Sequence, residues 1–283
     1  MKKNIISKAL LMALIVCSSM SSIAQKITMP APSPLQTITQ KFGLGEISIE
    51  YSRPSAKGRA IFGGLVPFDK IWRTGANAST KITFTDVVNV EGIDLKPGTY
   101  AIYTIPYQDS WMVMFYSDLA LGGNVADYDV KKEVAKFKVR VIEGQSRNET
   151  LKFDFDNVTP TSTNVNLSWG KTMISFKVTT DIDARVMLSI DESMKSEKPE
   201  YFKAAGYYLD NGKDLKKALT WINKAVEENP TAYYMYYVKA KIEYALNDVK
   251  AGKASAEKTI ELAVASKNDD YVALATSLMS EKK

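Results

Sequence analysis

The chain has 283 residues, 45% hydrophobic and 24% charged, the balance of a globular protein with one large or two ordinary domains. It contains no histidine, and its single cysteine is Cys17. That excludes Ser-His-Asp and Cys-His catalysis, Cys/His zinc sites and intrachain disulfides, leaving carboxylate, lysine, tyrosine, hydroxyl or arginine chemistry.

Residues 1–24 read as a signal peptide. Lys2, Lys3 and Lys8 form a basic start, Ala9 to Cys17 is a short apolar run, and Ser22-Ile23-Ala24 supplies small residues before a cleavage point at Gln25. The run is shorter than the roughly 20 residues that span a bilayer. Cys17 does not fit lipid attachment, because β-branched Val16 stands where a small residue is needed. The expectation is an exported protein, periplasmic or secreted, with no transmembrane helix after cleavage. Removing the three lysines of the leader leaves 34 basic against 32 acidic residues, a net charge of +2. Global charge therefore gives no support to nucleic-acid binding.

Residues 25–35 form a proline-rich extended lead-in. From 36 to 180 the hydrophobic period is two. Ile47, Ile49 and Tyr51 alternate with Ser48 and Glu50, Phe153 and Phe155 with Asp154 and Asp156, and Val165, Leu167 and Trp169 with Asn166 and Ser168. A Gly170-Lys171 turn precedes Ile174, Phe176 and Val178. The segment 111–116 (WMVMFY) is apolar almost throughout, which predicts a strand covered on both faces. About nine or ten short strands with turn signals between them predict an antiparallel β-sandwich. Residues 181–283 change to helical spacing, with helices over 183–194, from Pro199 onward and near 269–281. Gly206, Ala218, Ala225 and Pro230 stand at the spacing of a tetratricopeptide-like helical hairpin, and Tyr244, Ala256 and Ala263 repeat three of those positions 38 residues later. The fold class is thus α+β, a sandwich followed by helical hairpins.

Six of the basic residues fall between positions 51 and 81, against the single acid Asp69. Arginines there offer planar donor forks to carboxylates or phosphates, and Trp72 offers an apolar plate. Arg53, Lys57, Arg59, Trp72, Arg73 and Asn77 are the expected ligand-binding residues for a small anionic or sugar ligand, with Arg53, Arg59 and Arg73 converging near Trp72. The structural alternative is a long loop tied down by arginines on backbone carbonyls. Asp127 and Asp129, or Asp154 and Asp156, show no calcium-loop spacing, so no catalytic residue, metal site or cofactor is assigned. A carboxylate-dependent hydrolase acting on glycans is the alternative to a binding module. Eight of the fifteen tyrosines lie between Tyr201 and Tyr244. Tyr233, Tyr237 and Tyr244 share one helical stripe, which needs cover from neighbouring helices or from a peptide or protein partner.

The run IEYSRPSAKGRAIFGGLVPFDKIWRTGANASTKITF, followed by LKPGTYAIYTIP and WMVMFY, resembles the domain-of-unknown-function 2911 family of secreted bacterial proteins over about residues 30–180. The resemblance implies a secreted β-domain, often continued by a helical tail, and picks out the same loop through Arg53, Lys57, Arg59, Trp72, Arg73, Gly75 and Asn77. It implies no mechanism.

Overall fold

The computed structural model describes residues 28–281, so residues 1–24, expected from the sequence to be a signal peptide, lie outside the described residues. The described residues divide into two compact units, which part between Thr180 and Asp181.

Among its described residues the first unit holds ten strands: β1 Leu35–Phe42, β2 Gly45–Ser52, β3 Thr80–Phe84, β4 Val88–Val90, β5 Ile93–Leu95, β6 Gly98–Pro106, β7 Ser110–Tyr116, β8 Glu133–Arg140, β9 Ile142–Asp156 and β10 Ser162–Thr179. They form two antiparallel sheets, ordered β1-β2-β3-β6-β7-β8 and β5-β4-β10-β9. Period-two alternation explains the layering. In β2, Ile47, Ile49 and Tyr51 are buried while Ser48 and Glu50 are half-exposed. The inner residues of both sheets merge into one core, in which Phe115 of β7 meets Phe176 of β10 at 5.8 Å. A polar contact also crosses that core: the Phe153 N–H donates to the Tyr51 hydroxyl at 3.0 Å, and the hydroxyl donates to Gln36 Oε1 at 2.8 Å. The apolar strand β7 lies one position in from the sheet edge and is covered on both faces. Trp111, Val113 and Phe115 enter the main core, while Met114 and Tyr116 join a second cluster with Ala101 and Tyr103.

Gly170-Lys171 does not reverse the chain, contrary to the sequence expectation. β10 runs through it as one strand of 18 residues. The pairing with β9 shifts there: Ser168 faces Lys152, Gly170 faces Asn148 and Thr172 faces Glu143. The excess residues lie on the β9 side, opposite Gly170, whose backbone is in the left-handed region (φ +64°) that glycine adopts without strain.

The second unit has six helices: α1 Asp183–Ser193, α2 Tyr201–Asp210, α3 Leu215–Glu228, α4 Tyr233–Ala245, α5 Val249–Ala265 and α6 Asp269–Glu281. From α2 onward each helix packs on the next, and the small residues Ala218, Ala225, Ala256, Ala263 and Ala275 are buried at those contacts. Asp214 caps α3 and Asp248 caps α5, each accepting backbone N–H groups of the first turn. None of the described helices is long and apolar enough to cross a membrane.

The tyrosine stripe is covered within this unit. Tyr233 and Tyr237 meet Tyr271 of α6 at 5.0 and 5.6 Å, and Asn268 Nδ2 donates to the Tyr233 hydroxyl. Tyr244 lies flat against Gly252, where a β-carbon would fall 2.8–2.9 Å from its ring. Gly252→Ala should therefore destabilise the helical unit, by about 1–2 kcal/mol, because an overpacking cost of roughly 1–3 kcal/mol outweighs a helix-propensity gain of about 1 kcal/mol. Thermal unfolding followed at 222 nm checks this, and a rise in melting temperature would contradict it.

Candidate functional site

Between β2 and β3 the chain runs through residues 53–79 without a regular strand. Backbone bonds stitch this excursion to β9: Ala56 N–H donates to Glu149 O and Leu151 N–H to Pro54 O, each at 2.9 Å. Its polar side chains serve largely the same end. Arg53 Nε donates to Leu151 O at 3.0 Å, and Arg59 donates through Nε to Ala56 O and through Nη2 to Ser55 O, at 2.8 and 2.9 Å. Asn77 Nδ2 bonds Ser33 O and Ser52 Oγ, while the Lys57 backbone N–H reaches Glu149 Oε1.

Trp72 is only 9% exposed, so it offers no open plate. Its indole N–H donates to Gly75 O at 3.1 Å. It stacks on Trp169 with ring centroids 6.0 Å apart. Phe62 stands edge-on to Trp72, Trp111 and Trp169 at 6.1, 4.7 and 6.2 Å. Trp72 also bridges Thr104 of β6 as an extended residue. Neighbours on an extended chain point to opposite faces, so Arg73 leaves the core on the side away from Trp72. The expected convergence of Arg53, Arg59 and Arg73 on Trp72 therefore does not occur: Arg53 and Arg59 brace backbone carbonyls, and Arg73 points elsewhere.

A different set of residues does converge. A cavity of about 330 Å³ is lined by Arg59, Phe62, Phe68, Arg147, Trp169 and Lys171, among others. Of the six residues expected to bind ligand, Arg59 alone lines it, with Trp72 stacked on one of its walls. Arg147 and Lys171 come from the irregular stretch of the β9–β10 ribbon, where the register shift re-aims them. Trp169 also donates its indole N–H to Glu149 O, which fixes the ring. The lining holds three cationic and three aromatic side chains and no carboxylate. Such a cavity can attract an anion and stack a flat or sugar ring, but it contains no acid–base pair of the kind that cleaves glycosidic bonds.

The acidic pairs noted in the sequence lie outside this lining. Asp154 accepts from Asn166 Nδ2 at 2.9 Å and pairs with Lys152 at 2.8 Å. Asp127 bonds Asn124, and Asp129 caps a 3₁₀ turn at Lys131. No group of three or more metal-ligating side chains occurs among the described residues.

A family model described as "Protein of unknown function (DUF2911)" matches residues 33–178. No curated protein and no solved structure matches the chain.

Phe62 is half-buried, so Phe62→Ala should cost about 2–3 kcal/mol of stability, below the roughly 3–5 kcal/mol of emptying a fully buried phenylalanine site. Urea denaturation followed by tryptophan fluorescence measures it, and a loss below 1 kcal/mol would contradict the bracing role.

Proposed function

The chain belongs to the domain-of-unknown-function 2911 family, and we propose that it is an exported, non-catalytic envelope protein whose β-unit binds a small anionic ligand, such as a carboxylated sugar, in the cavity at Arg59, Arg147 and Lys171. One observation carries this reading: the cavity joins three cations to three aromatic rings and has no acidic residue in its lining. Its volume is at the small end of ligand sites, which run from about 300 to 1,000 Å³. Export rests on the basic, apolar and small-residue sequence of positions 1–24. We read the helical unit as a tetratricopeptide-like hairpin array, on the spacing of its buried alanines.

The binding reading is tested by titrating glucuronate, glucose and inorganic phosphate against thermal unfolding. Glucuronate should raise the melting temperature saturably and glucose should not. Arg147→Ala and Lys171→Ala should each weaken glucuronate by roughly tenfold, the scale of one charged hydrogen bond. Equal responses to glucose and glucuronate, or no effect of either substitution, would refute anion recognition here. Export is tested by the intact mass of the protein purified from its native envelope. A chain starting at Gln25 is expected, and one retaining Met1 would contradict cleavage.

A further inference from the structure

A second polar site stands on the other face of the six-stranded sheet. Thr80 pairs with Ile102, and Trp72 exchanges backbone hydrogen bonds with Thr104. One step on from each pair, Ser79 and Arg73 both arrive beside Tyr103. Side chains alternate along extended backbone, so residues next to the inward-facing Trp72 turn outward together. On that outer face Tyr103 packs with Met114 and Tyr116, under Leu121 and Tyr128 of the segment that follows β7. The Tyr103 hydroxyl donates to Gly122 O at 2.8 Å. The Arg73 guanidinium lies against the next residue, with Nη1 3.2 Å from where a β-carbon on Gly123 would sit.

Two donors at this place lack an acceptor in hydrogen-bonding geometry, although the Ser79 hydroxyl stands near enough to the Tyr103 phenol to influence it. Arg73 Nε and Ser79 Oγ are both buried and without a hydrogen-bond partner, and Ser79 is only 3% exposed. Leaving buried donors unpaired is costly, so such groups mark a missing acceptor. Burial holds the Tyr103 phenol above its ordinary pKa, while Ser79 and Arg73 pull it down and Tyr116 and Asp118 push it up. Tyr103 is therefore a neutral hydroxyl whose proton is already given to Gly122 O. The Asp118 carboxylate is engaged by Lys132 Nζ at 2.7 Å and by the Ala120 N–H at 2.9 Å.

We propose that Arg73 and Ser79 form a carboxylate-binding site beneath the Gly122-Gly123 segment, separate from the basic cavity. The edge of a guanidinium presents two parallel N–H groups that match the two oxygens of a carboxylate, and the serine hydroxyl adds a third donor. The Asp118 charge disfavours a dianion such as phosphate. The site thus selects a planar, singly charged group.

Sodium acetate titrated against thermal unfolding, with chloride balancing the ionic strength, tests this. The wild-type melting temperature should rise saturably with acetate. Ser79→Ala, which removes one small donor and leaves the fold intact, should move the acetate midpoint at least tenfold higher. Arg73→Gln should abolish the response. Should Arg73→Gln fail to fold, Ser79→Ala alone decides. No acetate-dependent rise, an unchanged midpoint in Ser79→Ala, or an equal response to inorganic phosphate would overturn the proposal. If Arg147→Ala rather than Ser79→Ala removes the rise, acetate occupies the basic cavity and the proposal fails.

Discussion

Edge-to-face packing of Phe62 against Trp72, Trp111 and Trp169 joins both sheets and the long excursion between β2 and β3 at one place. Trp111 belongs to the six-stranded sheet and Trp169 to the four-stranded one, while Phe62 and Trp72 come from the excursion between β2 and β3. An aromatic ring carries a positive edge and a negative face, so one ring can present its edge to several faces at once. The excursion has no regular strand, and backbone bonds tie it to β9 at Ala56 and Pro54 and to β6 at Trp72. The aromatic contacts and the arginine bonds to Leu151, Ala56 and Ser55 carbonyls add to that hold. The basic cavity is a consequence, since its walls include Phe62 and Trp169 and its cations sit at the margin of the same cluster.

The same constraint explains what was legible in the sequence. Strands with one buried face announce themselves by alternation, as β2, β3 and β9 do, and the helices announce themselves by buried alanines at fixed spacing. Gly170 was misleading, because a glycine between two alternating runs signals a turn or a bulge equally well, and only the pairing with β9 separates them. The cavity was hidden for that reason. Arg147 and Lys171 reach it through a register shift that no local pattern encodes. The crowding of arginines between 53 and 73 marks an excursion of which Arg59 lines the cavity, while Arg53 and Arg59 also bond backbone carbonyls. Trp72 and Arg73 are adjacent in an extended stretch, so one face cannot receive both. That much could have been read from period two alone, had the stretch around Trp72 shown itself as extended.

The alternation that parts these two residues gives the β-unit two polar environments of different character. One is open, cationic and aromatic, suited to a ligand with a ring and a negative charge. The other is buried, with an arginine Nε and a serine Oγ that lack acceptors in hydrogen-bonding geometry. Carboxylates are absent from the lining of the first. Asp118, near the second, is tied to Lys132. The helical unit follows a separate logic. Its tyrosines are spent on covering one another and on a close approach at Gly252, which makes the stripe an internal seam.

The account rests on the basic cavity and its aromatic floor acting as one ligand site. The chain has four tryptophans, and their indole N–H signals in a two-dimensional ¹⁵N spectrum report on it separately. During a glucuronate titration the Trp169 signal should move most, the stacked Trp72 signal less, and Trp221 of α3, in the helical unit, should stay still. Saturable binding that leaves Trp169 unmoved, or that shifts Trp221 as much, would contradict the assignment of the ligand to this cavity.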